Sequence, residues 1–297
     1  MADTGQSASG AAQVNGTTLR YDIAGEGHPL VLIHGSLEYR RVWDDQFDTF
    51  ARRYRVVRYD VRGYGESPLV TTETREIQGT PTYSLSQDLY ELLKFLEVER
   101  AYLLGQSMGA ALAADFLLAH PEMVDAFIPA APGLGGYEFV EEEYPLEARI
   151  EDALMEGDIA RAVDLTLQLW TAGPSRSLED VSPTVRARVR EMTLHNFERP
   201  DEENAAQPQA LEPRSLSRLA EIAVPTMVMV GDQDVRDIQR IANLLAPTSL
   251  ARAKSSSPIP PTTSTWSSPT SSTSSYWIFC LACSVLLSDI QRMTFGK

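Results

Sequence analysis

The five residues Gly105-Gln106-Ser107-Met108-Gly109 constrain the fold of this chain more than any other stretch. A small-x-Ser-x-Gly pentapeptide puts a serine on a sharp turn between a strand and a helix, and glycines at its flanks let the two elements approach without collision. The neighbouring residues supply those elements. Ala101 to Leu104 is a short apolar run suited to a buried parallel strand. Ala110 to Ala119 carries Ala110, Ala111, Ala113, Ala114, Leu117 and Leu118, a strongly helix-forming series that stops at His120-Pro121. Ser107 is therefore the candidate nucleophile, held in a strained backbone conformation, and the alternative is a tight turn without chemistry. At the helix N-terminus the amide of Met108 points to the same spot, a donor for an oxyanion forming on an attacked carbonyl.

A second apolar strand, Leu30 to Ile33, runs into His34-Gly35-Ser36, where the amide of Ser36 is the better placed second oxyanion donor. Tyr54 to Tyr59 reads as another strand, ending in Asp60-Val-Arg-Gly63-Tyr-Gly65-Glu-Ser67-Pro68. That loop lacks the lysine and spacing of a Walker motif and the third glycine of a dinucleotide fingerprint, so it reads as a structural turn.

His34-Gly35, Asp60-x-Arg62-Gly63-x-Gly65-x-Ser67 and Gly105-x-Ser107-x-Gly109, in this order and spacing, resemble the α/β-hydrolase superfamily over about residues 17 to 246. The resemblance implies an α/β fold with a doubly wound, mostly parallel sheet, a helical lid inserted after the sixth strand, and a Ser, Asp, His triad in that chain order. Catalytic loops then gather at the carboxyl ends of the strands. Val224 to Val230 is a further strand with Gly231-Asp232-Gln233-Asp234 at its carboxyl end. The family's Gly-x-x-Asp pattern falls on Asp234, which would orient a histidine; Asp232 is the fallback, and either aspartate would also serve as a cap for a helix from Val235 to Ala246.

The histidine is missing. A general base must reach Ser107, and in this fold it follows Asp234. The four histidines are His28, His34, His120 and His195, none of them beyond Asp234. His195, on an expected lid helix from Pro183 to Phe197, reads as a solvated or packing residue, with a surrogate base as the minority alternative. After Ala246 the composition changes abruptly. Between Ser255 and Ser275 every residue is Ser, Thr or Pro except Ile259 and Trp266, a composition unable to bury a core. Tyr276 to Leu287 is densely apolar but too short to span a membrane, and both cysteines, Cys280 and Cys283, lie there without metal-ligand company.

This tail reads as a shifted frame of a normal C-terminus. Joining the last base of each codon to the first two of the next, from Thr248 onward, permits an apolar Lys-Val-Val-Ile-Pro strand, a loop bearing two histidines and an amphipathic helix. The lost base would be encoded across Pro261 with Thr262, or Thr262 with Thr263. A genuinely evolved Ser/Thr tail is the competing explanation. On this reading the last strand and helix are missing, the Val224 to Val230 strand is left as an unpaired edge, and aggregation is aided by Trp277 to Leu281.

The expected organisation is a flexible N-terminus over 1–13, a hydrolase core over 14–132 and 214–246, a helical lid over 133–213, and an atypical disordered tail over 247–297. In the lid, Ile150, Leu154, Ile159, Val163 and Leu167 followed by Trp170, then Val185, Val189 and Met192, recur at helical spacing; Trp170 is a candidate to line an apolar acyl pocket over Ser107. Glu138 and Glu141 to Glu143 read as a solvated surface run. At 297 residues the chain can bury a large core, and a net charge of −15 disfavours nucleic acid or an anionic membrane as partner. Met1 to Gln13 has no signal-peptide character, and the cysteine-free body suits a reducing cytoplasm. The chain is expected to be a serine hydrolase of a small carboxylic ester or lactone, working through an acyl-enzyme but impaired as written by the absent triad histidine, with no metal or organic cofactor. Serine at the elbow argues against the dehalogenase and epoxide-hydrolase branches. Carbon-carbon hydrolases and cofactor-free haloperoxidases share the motifs, and a catalytically dead ligand-binding protein is the alternative of another class.

Overall fold

The computed structural model describes residues 7–69, 82–140, 144–199, 207–231, 233–246 and 251–254. Its strands are β1 (Ala8–Val14), β2 (Thr17–Ala24), β3 (Pro29–Ile33), β4 (Arg55–Tyr59), β5 (Thr82–Tyr83), β6 (Ala101–Gln106), β7 (Val124–Ala130), β8 (Gln207–Pro208), β9 (Met227–Val230) and β10 (Ala251–Lys254). The α-helices are α1 (Asp44–Ala51), α2 (Leu85–Phe95), α3 (Met108–Ala119), α4 (Pro145–Met155), α5 (Ile159–Thr166), α6 (Pro183–Phe197) and α7 (Arg236–Leu245). Eight strands form one sheet in the order β1-β2-β4-β3-β6-β7-β9-β10, antiparallel at its first two pairings and parallel from β4 onward. β5 and β8 make a separate two-stranded ribbon.

Central strands covered on both faces need near-continuous apolar residues, and β3 and the first four residues of β6 supply them. Alternate side chains serve opposite layers. Val31, Ile33 and Leu103 face a cluster built with Leu89, Leu92 and Leu93 of α2, Phe116 of α3, and Ile241 and Leu245 of α7. Leu30, Leu32 and Leu104 face Trp43, Phe47 and Phe50 around α1, together with Val163, Leu167, Val189 and Met192 from the lid. Each fully buried leucine in these layers contributes about 1.5–3 kcal/mol. α2 shows how local and tertiary signals agree. Ser84 caps it by accepting from Gln87 N–H at 3.3 Å, and its apolar positions 89, 92 and 93 repeat on one face.

The lid is as helical as the periodicity implies: α4, α5 and α6 all lie between β7 and β9, and α6 spans the expected Pro183–Phe197. Glu138 is exposed as expected; Glu141 to Glu143 lie outside the described residues.

Both chain ends differ from expectation. The N-terminus was expected to be flexible through residue 13, yet Ala8–Val14 pairs residue for residue with β2. The reason is Asn15-Gly16, whose φ values of 47° and 75° make the two-residue turn that matches the twist of a hairpin. Arg62 locks it from below, donating to Asn15 O at 2.6 Å and, through two nitrogens, to the buried carboxylate of Asp88 at 2.6 and 2.7 Å. At the other end β9 is not an unpaired edge, and a last strand is not missing. Ala251–Lys254 runs parallel to Met227–Val230, so β10 closes the sheet inside the stretch read as tail. Backbone pairing needs only an open row of N–H and C=O groups, which β9 offers whatever the side chains beside it. The Ser/Thr/Pro run and Trp277 to Leu281 lie outside the described residues.

Candidate active site

Ser107 sits where β6 ends and α3 begins, with φ 50° and ψ −115°. A non-glycine residue at positive φ is held there only by its surroundings. Here they are a set of backbone bonds: Ser107 N–H donates to Ala130 O at 3.0 Å, and Ser107 O accepts from Ala110, Ala111 and Gly133 at 2.9, 3.2 and 3.0 Å. The flanking glycines are required by contact. A Cβ on Gly105 would overlap the carbonyl of Gly109, and one on Gly109 would overlap the carbonyls of Ile33 and His34. Strand, elbow and helix thus stand as the pentapeptide implies.

The elbow opens into a cavity of about 280 Å³. Ser36, Ser107, Met108, Trp170 and Asp234, all singled out in the sequence, line it together. Among the described residues no group hydrogen-bonds the Ser107 hydroxyl. The loop after β3 is braced by His34, which is wholly buried. Its Nδ1–H donates to Gly35 O at 2.7 Å and its Nε2 accepts from Val61 N–H at 2.9 Å. Burial lowers its pKa, more than neighbouring Asp60 raises it, so the ring is a neutral strut.

Asp234 reaches the cavity from the loop after β9. Its Oδ1 accepts from Val235 N–H at 3.0 Å and its carbonyl from Gln239 Nε2 at 2.9 Å, so it also steadies the start of α7. Asp232 lies outside the described residues. The Gly63 to Ser67 loop folds around Asp60, whose carboxylate accepts from Arg40 and Glu66 backbone N–H at 2.8 Å each and pairs with the Arg40 guanidinium.

None of the four histidines lines the cavity. His28 stands 3.3 Å from Asp125 and against Tyr102, and His120 stacks on Tyr90. His195 spends Nε2 on Gly65 O at 3.1 Å and packs its ring edge against Tyr39, which removes it as a surrogate base.

Residues without a role in the sequence reading also line the cavity, among them Leu37, Glu38, Ala131, Phe139 and Ile238. Phe139 and Trp170 form an aromatic wall with their ring centres 6.1 Å apart, and Tyr144 stacks behind Trp170 at 5.8 Å. A π-helical turn over Leu167–Ala172 carries Trp170. Asp237, fully buried on α7, ties the wall down by accepting from Tyr137 Oη at 2.6 Å, Tyr144 Oη at 2.9 Å, Val140 N–H at 2.9 Å and Arg240 at 2.7 Å. Burial alone would raise its pKa; the bonds from Tyr137, Val140, Arg240 and Tyr144 outweigh that and hold it at about 2.

Comparison with known proteins agrees with this geometry. A family described as alpha/beta hydrolase fold matches residues 28–246. A 2-hydroxy-6-oxononadienedioate/2-hydroxy-6-oxononatrienedioate hydrolase of Burkholderia vietnamiensis is 30% identical over 231 residues, covering 74% of this chain and 76% of the relative. The uncharacterized hydrolase YraK of Bacillus subtilis is 32% identical over 124 residues, 42% of this chain, and the match spans under half of YraK, 44% of its length. In three dimensions an esterase of Exiguobacterium antarcticum superposes with a TM-score of 0.65 at 18% identity, covering 94% of this chain and 97% of the esterase, a likeness of fold. Esterases, lactonases and carbon-carbon hydrolases all occur among the similar proteins. Motif, elbow geometry, sheet order and sequence likeness converge: this chain belongs to the alpha/beta hydrolase fold family.

Proposed function

We propose that this protein is a serine hydrolase of small, uncharged carboxylic esters or lactones, built to act through an acyl-enzyme on Ser107. The observation that carries the reading is the strained Ser107 elbow opening into a cavity shared with the amides of Ser36 and Met108 and with Asp234. In that arrangement Ser107 Oγ attacks the carbonyl, the two amides hold the oxyanion, and Asp234 orients a histidine that takes the serine proton and returns it to the leaving group. Water then releases the acid.

Charge selects the substrate class. No lysine or arginine lines the cavity among the described residues, while Asp234 does. A dicarboxylate of the kind named for the Burkholderia relative would enter without a countercharge, which favours neutral esters and lactones over that carbon-carbon cleavage. About 280 Å³ suits a small acyl group. No helix among the described residues is long and apolar enough to cross a membrane, and we place the protein in the cytoplasm on its cysteine-free body.

The triad base is the missing part, and we attribute its loss to a frame shift near Thr248. Turnover of p-nitrophenyl acetate by this chain beside a version with the C-terminal frame restored, each with S107A, tests both statements. Ser107-dependent turnover only in the restored protein is the expected result. Equal turnover in both removes the missing-base argument, and turnover insensitive to S107A removes the hydrolase reading. A ligand-binding pseudoenzyme is the second reading, favoured by the absence of any histidine from the cavity wall.

A further inference from the structure

Glu38 is the one buried acid in the cavity that neither triad nor oxyanion amides account for. It lies in the loop after β3, and the residue is 2% exposed although it lines the same space as Ser107. Its carboxyl folds back over Gly35: a Cβ on Gly35 would stand 2.8 Å from Glu38 Oε2 and 3.4 Å from Ser107 Cβ. Carboxyl and nucleophile therefore both border the small space above Gly35, into which a larger residue would push the Glu38 carboxyl. Gly35 N–H and the Gln106 side chain donate to the carboxyl, and no cation pairs with it among the described residues. An unpaired carboxylate at this depth is strongly disfavoured, and burial raises the Glu38 pKa to about 8 despite the bonds from Gly35 and Gln106. At neutral pH the group is a carboxylic acid with an O–H to give.

We propose that Glu38 is a third oxyanion donor, a neutral acid whose O–H binds the substrate's carbonyl oxygen beside the amides of Ser36 and Met108. The proton stays on Glu38 throughout; no bond is made or broken there, and the charge developing on oxygen strengthens the hydrogen bond. A protonated carboxyl in an apolar site is chemically suited to this task. The role rests on the hydrolase reading for its consequence in catalysis, but it is a property of the hole itself and is measurable without turnover.

The titratable neighbours are few. His34 underlies the loop, Gln106 at the end of β6 is neutral, and Asp234 faces the cavity from the loop after β9. From α6, Asn196 donates to Glu38 O at 3.2 Å, while Glu191 and His195 engage Tyr39 instead. Substitution at Glu38 alone separates its proton from theirs.

Butyrate, a carboxylate whose oxygen imitates the oxyanion, is the probe, its binding to the full chain in the S107A background followed by calorimetry between pH 6 and 10. The expected result is affinity that falls about tenfold per pH unit above about 8, as a carboxylate replaces the donor and repels the ligand. E38Q, whose amide donates without titrating, loses that pH dependence, and E38L binds at least about tenfold more weakly at pH 7. Circular dichroism of each variant establishes folding, and E38Q suffices if E38L does not fold. A pH profile shared by E38Q and its parent overturns the proposal, as does failure of butyrate to bind at any pH. Because Ser107 is absent from this assay, a failed hydrolase reading leaves butyrate binding intact and a failed Glu38 role does not disturb Ser107-dependent turnover elsewhere.

Discussion

Replacing Asp237 with asparagine isolates the bolt that holds the lid's aromatic wall to α7. Four donors converge on this carboxylate, two on each oxygen: Tyr137 Oη and Arg240 on Oδ1, Tyr144 Oη and Val140 N–H on Oδ2. Asparagine keeps one acceptor. With its amide nitrogen in place of Oδ1, Tyr137 can rotate to accept, and half-exposed Arg240 turns to water. The two bonds on Oδ2 survive but fall from charge-assisted strength, about 1.5–3 kcal/mol each, to the neutral range of about 0.5–1.5. Together with the loss on Oδ1, D237N should destabilise the protein by about 2–4 kcal/mol, or about 5–12 °C in Tm at this chain length. Thermal unfolding by circular dichroism reads the shift, and Y144F made in both backgrounds reads the coupling: Y144F should matter less once the carboxylate is gone. A Tm change under 2 °C, or fully additive effects, would refute the reasoning. The same carboxylate makes a pH prediction. Its folded pKa lies near 2, below its ordinary 3.8, so its stabilisation is complete above about pH 4 and is lost as pH falls through about 2, and D237N should flatten that part of an acid-unfolding curve.

Three further outcomes follow from contacts already described. G109A should yield little soluble protein, because the added methyl meets the carbonyls of Ile33 and His34, which cannot retreat without breaking β3; recovery of folded protein with an unshifted Tm would contradict the elbow geometry. R62M leaves Asp88 buried and uncompensated and should lower stability by about 3–5 kcal/mol in urea denaturation, and a smaller loss on replacing both residues by apolar ones would show that the unpaired charge is the cause. W170A in the frame-restored protein should shift preference among p-nitrophenyl esters toward longer acyl chains, seen as a changed ratio of kcat/KM between butyrate and acetate esters; an unchanged ratio would take Trp170 out of the acyl pocket.

Much of this molecule is written locally. Elbow glycines, apolar runs at β3 and β6, and the helical spacing of α6 are short-range signals whose tertiary context agrees with them. Ser36, Met108 and Asp234 could be placed because each is tied to an element end that the chain marks, and Trp170 because it follows a helical repeat. Asn15-Gly16 was equally legible, as a turn residue pair between alternating segments, but the small polar residues before it masked a strand that only pairing with β2 stabilises. β10 had no such local sign: Ala-Arg-Ala-Lys has little strand preference, and an open edge recruits it. Glu38 was hidden for a different reason. Between Leu37 and Tyr39-Arg40-Arg41 it reads as one more surface charge, and its chemistry comes wholly from depth, which no single residue type reveals.

The direction of β10 has a consequence for repairing the enzyme. Lys254 pairs with Val230, so the chain leaves the sheet beside Gly231, at the rim from which Asp234 enters the cavity. The strand therefore ends on the Asp234 side of Ser107. Eight or nine residues, the distance in sequence to where the restored frame writes its histidines, reach at most about 30 Å when extended. On the frame-shift proposal, a short synthetic peptide bearing a histidine and appended after Lys254 would start from that rim.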